Sequence, residues 1–258
     1  MAHLVYRQLW RITDTKVRAY RYNSRLFYFY RGSSLRFELS LSNLACERDE
    51  RMLFEGVSAQ YGSGDIIQIA GPNGAGKTSL LKMLVGIVPV SSGDIAWTQE
   101  GGVDAATLRE SLLYIGHHPA VKASLTAMEN LQWFFGLNGR KSLTDMPQPS
   151  REDYCRALSL VGLVGYEDVL CHQMSAGQQR RVALARLYLS HAPLWILDEP
   201  FTAIDKRGVA ALEDQISLHA RRGGLILLTT HQAMALDKVK RLDLSDYLPI
   251  PVDTGLTR

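Results

Sequence analysis

The chain has 258 residues, 46% hydrophobic and 21% charged, the composition of an ordinary globular protein, and no apolar run approaches the roughly 18 residues of a membrane-spanning helix. Cys46, Cys155 and Cys171 are odd in number and lack C-x-x-C spacing, which argues against a disulfide framework, a zinc site or covalent haem attachment. The net charge of +3 is unevenly placed: residues 1–36 carry eight basic groups against Asp14 alone, whereas the remainder has 21 basic and 25 acidic residues, so that remainder does not read as a nucleic-acid binder.

The leader, residues 1–36, combines those basic groups with Tyr6, Trp10, Tyr20, Tyr22, Phe27, Tyr28, Phe29 and Tyr30. It has neither the apolar core nor the small-residue cleavage site of a signal peptide. A basic aromatic arm of this kind can lie on an anionic membrane surface, but the expectation is extra sequence from an upstream start, outside the fold. The next methionine, Met52, is already inside the globular pattern, so a shorter product would need a non-Met start codon. From Leu35 to Gln60 apolar and polar residues alternate, with Leu35, Phe37, Leu39 and Leu41 on one face. A charged stretch, Cys46 to Arg51, interrupts the alternation, and the whole predicts strand, charged turn, strand.

The apolar run Asp65–Ala70 then leads into Gly71-Pro72-Asn73-Gly74-Ala75-Gly76-Lys77-Thr78, with Ser79-Leu80-Leu81 following. This fits G-x-x-x-x-G-K-[ST] in its required context, a strand entering and a helix leaving. Glycines at 71, 74 and 76 allow backbone conformations in which successive N–H groups face one concavity suited to phosphate, and the helix adds its positive dipole end. Lys77 is expected on the β- and γ-phosphates and the Thr78 hydroxyl on Mg²⁺. Downstream, Pro89 and Ser91-Ser92-Gly93-Asp94 break the chain before a short strand, Ile95-Ala96-Trp97. From about Arg109 to Ala192 the pattern is mostly helical, an inserted lobe interrupted by a surface loop at Asn138–Ser150.

Within that lobe, Met174-Ser175-Ala176-Gly177-Gln178 opens a helix whose apolar face carries Val182, Ala185 and Leu189. Ser175 reads as its N-cap, and the free N–H groups near residues 176–178 form a second anion site. The run Leu194-Trp195-Ile196-Leu197 places Asp198 at the carboxyl end of a buried strand, the edge where α/β sheets bind nucleotides, so that Asp198 can hold Mg²⁺ directly or through water. Glu199 follows beside the γ-phosphate position, where a carboxylate can orient and deprotonate water, worth roughly 10²- to 10⁴-fold in rate. Leu225-Ile226-Leu227-Leu228 is a further buried strand of the parallel-sheet kind.

These elements together resemble the nucleotide-binding subunit of an ABC transporter, over about Phe37 to Leu244. The resemblance implies an α/β P-loop NTPase fold of ABC type: a mainly parallel sheet core with an antiparallel β subdomain and an inserted helical subdomain at about 109–192, in a domain spanning 37–245 and followed by a tail at 246–258. It also implies ATP and Mg²⁺ as ligands and a homodimer in which Ser175, Ala176, Gly177 and Gln178, matching the signature motif, close over ATP held by the phosphate loop of another copy. Phe201-Thr202-Ala203-Ile204-Asp205 is similar to the D-loop, and Thr229-Thr230-His231 places His231 as the switch histidine at the end of the last core strand, in contact with the γ-phosphate and Glu199.

Three positions depart from the family pattern. The signature has Met174 and Ala176 where leucine and glycine are usual. His118, in Gly116-His117-His118-Pro119, stands where related chains carry a glutamine that senses Mg²⁺ and the membrane partner; an imidazole there would make coupling pH-sensitive. Arg48 stands near the position of the aromatic that stacks on adenine, and its guanidinium can stack instead. Leu44–Arg51, Tyr114–Pro119, Met174–Arg186 and Trp195–Asp205 further resemble the ATP-binding export proteins of cytochrome c maturation. That implies haem delivery across the bacterial inner membrane, a peripheral position on its cytoplasmic face, and contact with the membrane through integral subunits that lack ATPase motifs. The rival class is a soluble ABC ATPase that remodels protein or nucleic acid.

Overall fold

The computed structural model describes residues 17–22, 25–30, 36–99, 112–138 and 148–249, and the chain divides into two compact units, Met1–Leu35 and Arg36–Arg258. In the first, β1 (Val17–Tyr22) pairs antiparallel with β2 (Arg25–Tyr30), with Val17 opposite Tyr30 and Tyr22 opposite Arg25. This hairpin lies in the leader that the sequence reading set outside the fold. Its arginines break the apolar alternation, while its tyrosines, phenylalanines and valine carry high strand propensity.

The second unit opens with the expected pair, β3 (Phe37–Arg48) and β4 (Arg51–Gly62), joined antiparallel with Arg48 opposite Arg51. Asp49 (φ 52°) and Glu50 (φ 60°) are both left-handed, as a two-residue type I′ hairpin turn requires. β6 (Ser92–Gln99) adds to the other edge of β3, so the antiparallel sheet has the order β4-β3-β6. A second sheet has β5 (Ile66–Ala70), β7 (Leu112–Ile115), β8 (Leu194–Asp198), β9 (Leu225–Thr229) and β10 (Val239–Asp243) in the order β10-β5-β9-β8-β7. Every neighbouring pair in it is parallel. α1 (Lys77–Leu84) follows the phosphate loop, and its Leu80, Leu81, Met83 and Leu84 join Leu39, Phe54, Ile67 and Ile196 in a core that links the two sheets. α5 (Lys206–Arg221) contributes Leu212 and Ile216 to a second core with Trp195, Ile226 and Leu228. The alternating inward residues of β5 and β8 thus bury both faces of the parallel sheet, which is why those strands read as continuous apolar runs.

The helical lobe comprises α2 (Ala127–Asn138), α3 (Arg151–Leu160) and α4 (Ala176–Ala185), with its own core of Met128, Leu131, Tyr154, Leu158, Leu163 and Val182. Ser150 closes a capping box with Asp153 at the start of α3. Three boundaries differ from expectation. Within the stretch read as mostly helical from about Arg109, the described residues begin with a strand: β7 belongs to the parallel sheet, because Leu112-Leu113-Tyr114-Ile115 is a short apolar run that finds β8 as a neighbour. β9 is not the last core strand; β10 follows it at the sheet edge, where Lys240 and Arg241 face solvent and mask its pattern. The tail does not begin at 246, since a 3₁₀ turn over Leu244–Tyr247 buries Leu244 and packs Tyr247 against the core between the sheets. Most of the expected loop at Asn138–Ser150, and the tail beyond Pro249, lie outside the described residues.

Candidate functional site

β5 ends at Ala70, and the chain then turns through Gly71 (φ 137°), Gly74 (φ 84°) and Gly76 (φ 93°) before α1 begins. The turn at Gly76 admits no side chain: a Cβ there would stand 2.9 Å from the ring of the buried Phe54, in a backbone region that already disfavours one. Gly76 is the N-cap of α1 and no side chain caps it, so the first amides of the helix are left to a ligand. Lys77 Nζ lies over the loop, donating to the carbonyls of Gly71 at 2.7 Å and Pro72 at 3.1 Å.

The loop forms one wall of a cleft of about 830 Å³. Pro72, Asn73, Gly74, Gly76, Lys77, Thr78 and Ser79 line it together with Asp198, Glu199, His231 and Arg48, so most of the residues expected at the nucleotide meet there. Gly71 and Ala75 shape the loop from behind. Asp198, 1% exposed, closes β8, and its carboxylate accepts from the Thr78 hydroxyl at 3.0 and 3.2 Å and from the Thr229 hydroxyl at 2.7 Å. A hydroxyl and a carboxylate held in contact are the oxygen donors that a hard cation such as Mg²⁺ takes, so the residues fit that ion. Thr229 also accepts from the Glu199 amide at 2.9 Å. Glu199 is itself left-handed (φ 50°), and its Oε1 lies 3.6 Å from His231 Nε2, with the glutamate side chain 20% and the histidine 60% exposed. Arg48, at the tip of the β3–β4 hairpin, is largely exposed and pairs with Asp49 at 3.6 Å.

The other expected residues lie elsewhere. Ser175 caps α4 in a reciprocal box: its hydroxyl accepts from the Gln178 amide at 3.2 Å, and Gln178 Oε1 accepts from the Ser175 amide at 2.8 Å. The Gln178 N–H is therefore used within the helix, and the anion site expected over 176–178 narrows to Ala176 and Gly177. A Cβ on Gly177 would stand 3.1 Å from the Ala203 carbonyl, so signature and D-loop segments are neighbours. Asp205 does not reach the cleft; it caps α5, accepting from the Gly208 amide at 2.7 Å. His118 is exposed and does not line the cleft, whereas His117 does; their rings are 5.5 Å apart at 76°, because adjacent side chains of this irregular segment diverge. Among the described residues no group of three or more His, Cys, Asp or Glu could hold a metal ion.

Sequence reasoning assigned no site role to Thr229, Gln232 or, above all, Arg180. This arginine of α4 is 5% exposed and donates to the carbonyls of Asp198 at 2.8 Å and Glu199 at 3.0 Å, and to that of Gly116. Burial lowers its pKa, an effect opposed by Asp198 and Glu199 nearby. Burial likewise raises that of Tyr114 in β7, with Asp198 adding to the rise. A charged residue on the apolar side of an amphipathic helix was the one available signal for Arg180.

Residues 54–202 match the family model described as ABC transporter. The chain is 51% identical over 216 residues to a cytochrome c biogenesis ATP-binding export protein, CcmA, of Saccharophagus degradans, covering 81% of this chain and 94% of that one. It is 47% identical over 211 residues to the protein of that name from Haemophilus influenzae, covering 81% and 96%. Among solved structures it resembles a putative ABC transporter ATP-binding protein of Pyrococcus furiosus, with a TM-score of 0.69, 22% identity and coverage of 82% and 100%. It also resembles a dimeric post-hydrolysis cassette bound to ADP and phosphate, with a TM-score of 0.62, 21% identity and coverage of 75% and 88%.

Proposed function

Because the chain belongs to the ABC transporter family, we propose that it is the ATP-hydrolysing subunit of a transporter complex serving cytochrome c biogenesis. The observation that carries the chemistry is the meeting of Thr78, Asp198, Thr229 and Glu199 over the phosphate loop at the carboxyl end of β8. The export role rests on relatives at about half identity over four-fifths of the chain, which favour a transporter over a soluble remodelling ATPase.

The loop amides and Lys77 bind the β- and γ-phosphates of ATP, and Thr78 with Asp198 would hold Mg²⁺, which would supply neutralising charge to the phosphates. Glu199 orients the attacking water and takes its proton on a carboxylate oxygen, and His231, facing that carboxylate, hydrogen-bonds the γ-phosphate. Arg48 offers a guanidinium face to the base from the hairpin tip. The Ser175–Gln178 segment lies apart from this cleft and caps its own helix, which suits a role over the nucleotide of a second copy. Two chains then enclose two ATP molecules, with Asp205 near the junction, and closure and opening of this dimer act on integral membrane subunits through the helical lobe. The chain sits peripherally on the cytoplasmic face of the bacterial inner membrane; among its described residues no helix is long and apolar enough to cross one. The haem-related role is tested in a strain lacking the chain. Covalent haem attachment to c-type cytochromes is expected to be lost, restored by the wild type and not by Glu199→Gln. Co-purification from native membranes should return polytopic subunits; a purely soluble complex would overturn the transporter assignment.

A further inference from the structure

A guanidinium buried among carbonyl groups is costly to desolvate, and Arg180 spends its donors on backbone oxygens alone: Asp198, Glu199, Gly116 and, at 3.4 Å, His117. Its Nε is buried with no acceptor, so its hydrogen bonds all go to those backbone oxygens, with the charges of Asp198 and Glu199 nearby. The residue it grips is strained. Glu199 has φ 50°, a region disfavoured for any residue bearing a Cβ. The two peptide groups flanking that residue are pinned, the amide by Thr229 Oγ1 at 2.9 Å and the carbonyl by Arg180 Nη2 at 3.0 Å. The far end of the His117 segment is held from the 3₁₀ turn Arg186–Tyr188 that follows α4, where Arg186, 3% exposed, donates to the Ala120 carbonyl at 2.9 Å and stacks 4.4 Å from the Phe134 ring. Ala120 too is left-handed, at φ 49°.

We propose that Arg180 is a positioning residue for hydrolysis. It fixes Glu199 in its left-handed conformation and ties that conformation to the helix that Ser175 caps, so that a displacement of the helix start is felt at the Glu199 backbone and at Gly116 and His117. This rests on the reading of Glu199 as the general base given above. It makes turnover in a chain depend on the seating of its own α4, while nucleotide binding by the loop at 71–78 does not.

The test is a double-mutant cycle in the full chain, purified with its membrane subunits, reading turnover, ATP Kd and the thermal midpoint. Arg180→Lys keeps a buried cation but cannot span four carbonyls, and it is expected to lower kcat about 10- to 100-fold, the cost of an ångström-scale misplacement of the base, with ATP Kd within about threefold. In the Glu199→Gln background the same change is expected to cost nothing further, because the base it positions is gone. An equal loss in both backgrounds, a loss confined to Kd, or a kcat within about twofold of wild type would overturn the proposal. Arg180→Gln, with the thermal midpoint as control, repeats the cycle and is expected to lose at least as much kcat as the lysine variant; a kcat nearer wild type would equally overturn the proposal. If Glu199→Gln by itself turns over ATP like the wild type, the assignment of the base falls, an outcome read without touching Arg180.

Discussion

A carboxylate 3.6 Å from an imidazole, at the end of a strand and over a phosphate loop, is an arrangement in which single atoms carry the function. Removing the basicity of Glu199 while keeping its shape, as in Glu199→Gln, is expected to cut phosphate release roughly 10²- to 10⁴-fold and to accumulate an ATP-bound dimer detectable by light scattering. Lys77→Ala should act on binding instead. Losing one charge-assisted contact to phosphate is expected to weaken ATP affinity about 10- to 100-fold, measured with a fluorescent analogue. Both residues were legible in the sequence, since a phosphate loop is a local object whose glycines, lysine and hydroxyl follow one another. The choice between His117 and His118 was not. Two adjacent imidazoles are alike as residue types, and only the path of the chain between β7 and the lobe decides which faces the cleft.

At the scale of elements, the strands and caps show where a local rule meets its neighbours. Gly93, the second residue of β6, has φ 84° opposite a register shift on β3 between Ser42 and Ala45, and a Cβ there would overlap the backbone carbonyls of Ser42 and Asn43. Gly93→Ala is therefore expected to lower Tm by more than about 5 °C, since neither backbone can yield without losing its ladder. On the far face of the parallel sheet, His219 of α5 stacks on Trp195 of β8 at 3.7 Å and 2°, and burial pushes its pKa down from 6.5 to about 4. The unfolded chain takes up this proton first as pH falls. The neutral ring's contribution is thus complete above about 6.5 and lost as pH drops toward 4. In His219→Phe, the loss of thermal stability between those pH values should be shallower than in the wild type. The sequence announced β5, β8 and β9 through their apolar runs. It did not announce β10, where the edge of the sheet leaves Lys240 and Arg241 exposed and so breaks the apolar run.

For the whole molecule, the separation of the Ser175–Gln178 segment from the phosphate cleft is the decisive geometry, because a second anion site on the same chain is expected to serve another chain. Chains carrying Lys77→Ala and chains carrying Ser175→Arg should each be inactive as homodimers. A mixture of the two contains dimers with one intact loop facing one intact signature, and is expected to hydrolyse ATP where neither parent does; a mixture as inactive as its parents would count against the shared site.

Local covalent order was enough to establish the phosphate loop, the hairpin at Arg48–Arg51, the buried strand ending in Asp198-Glu199 and the cap at Ser175, because each depends on residues within one or two turns of one another. It also established the family, through several such signals in a fixed order. What tertiary structure decided was the company each signal keeps. Thr229 meets Asp198 from a strand thirty-one residues away, and Arg180 reaches Glu199 and Gly116 from a helix of the lobe. Asp205 spends its carboxylate on its own helix start instead of the cleft. Such pairings depend on sheet order and on the packing of lobe against core, where burial and backbone strain select partners that spacing along the chain does not encode.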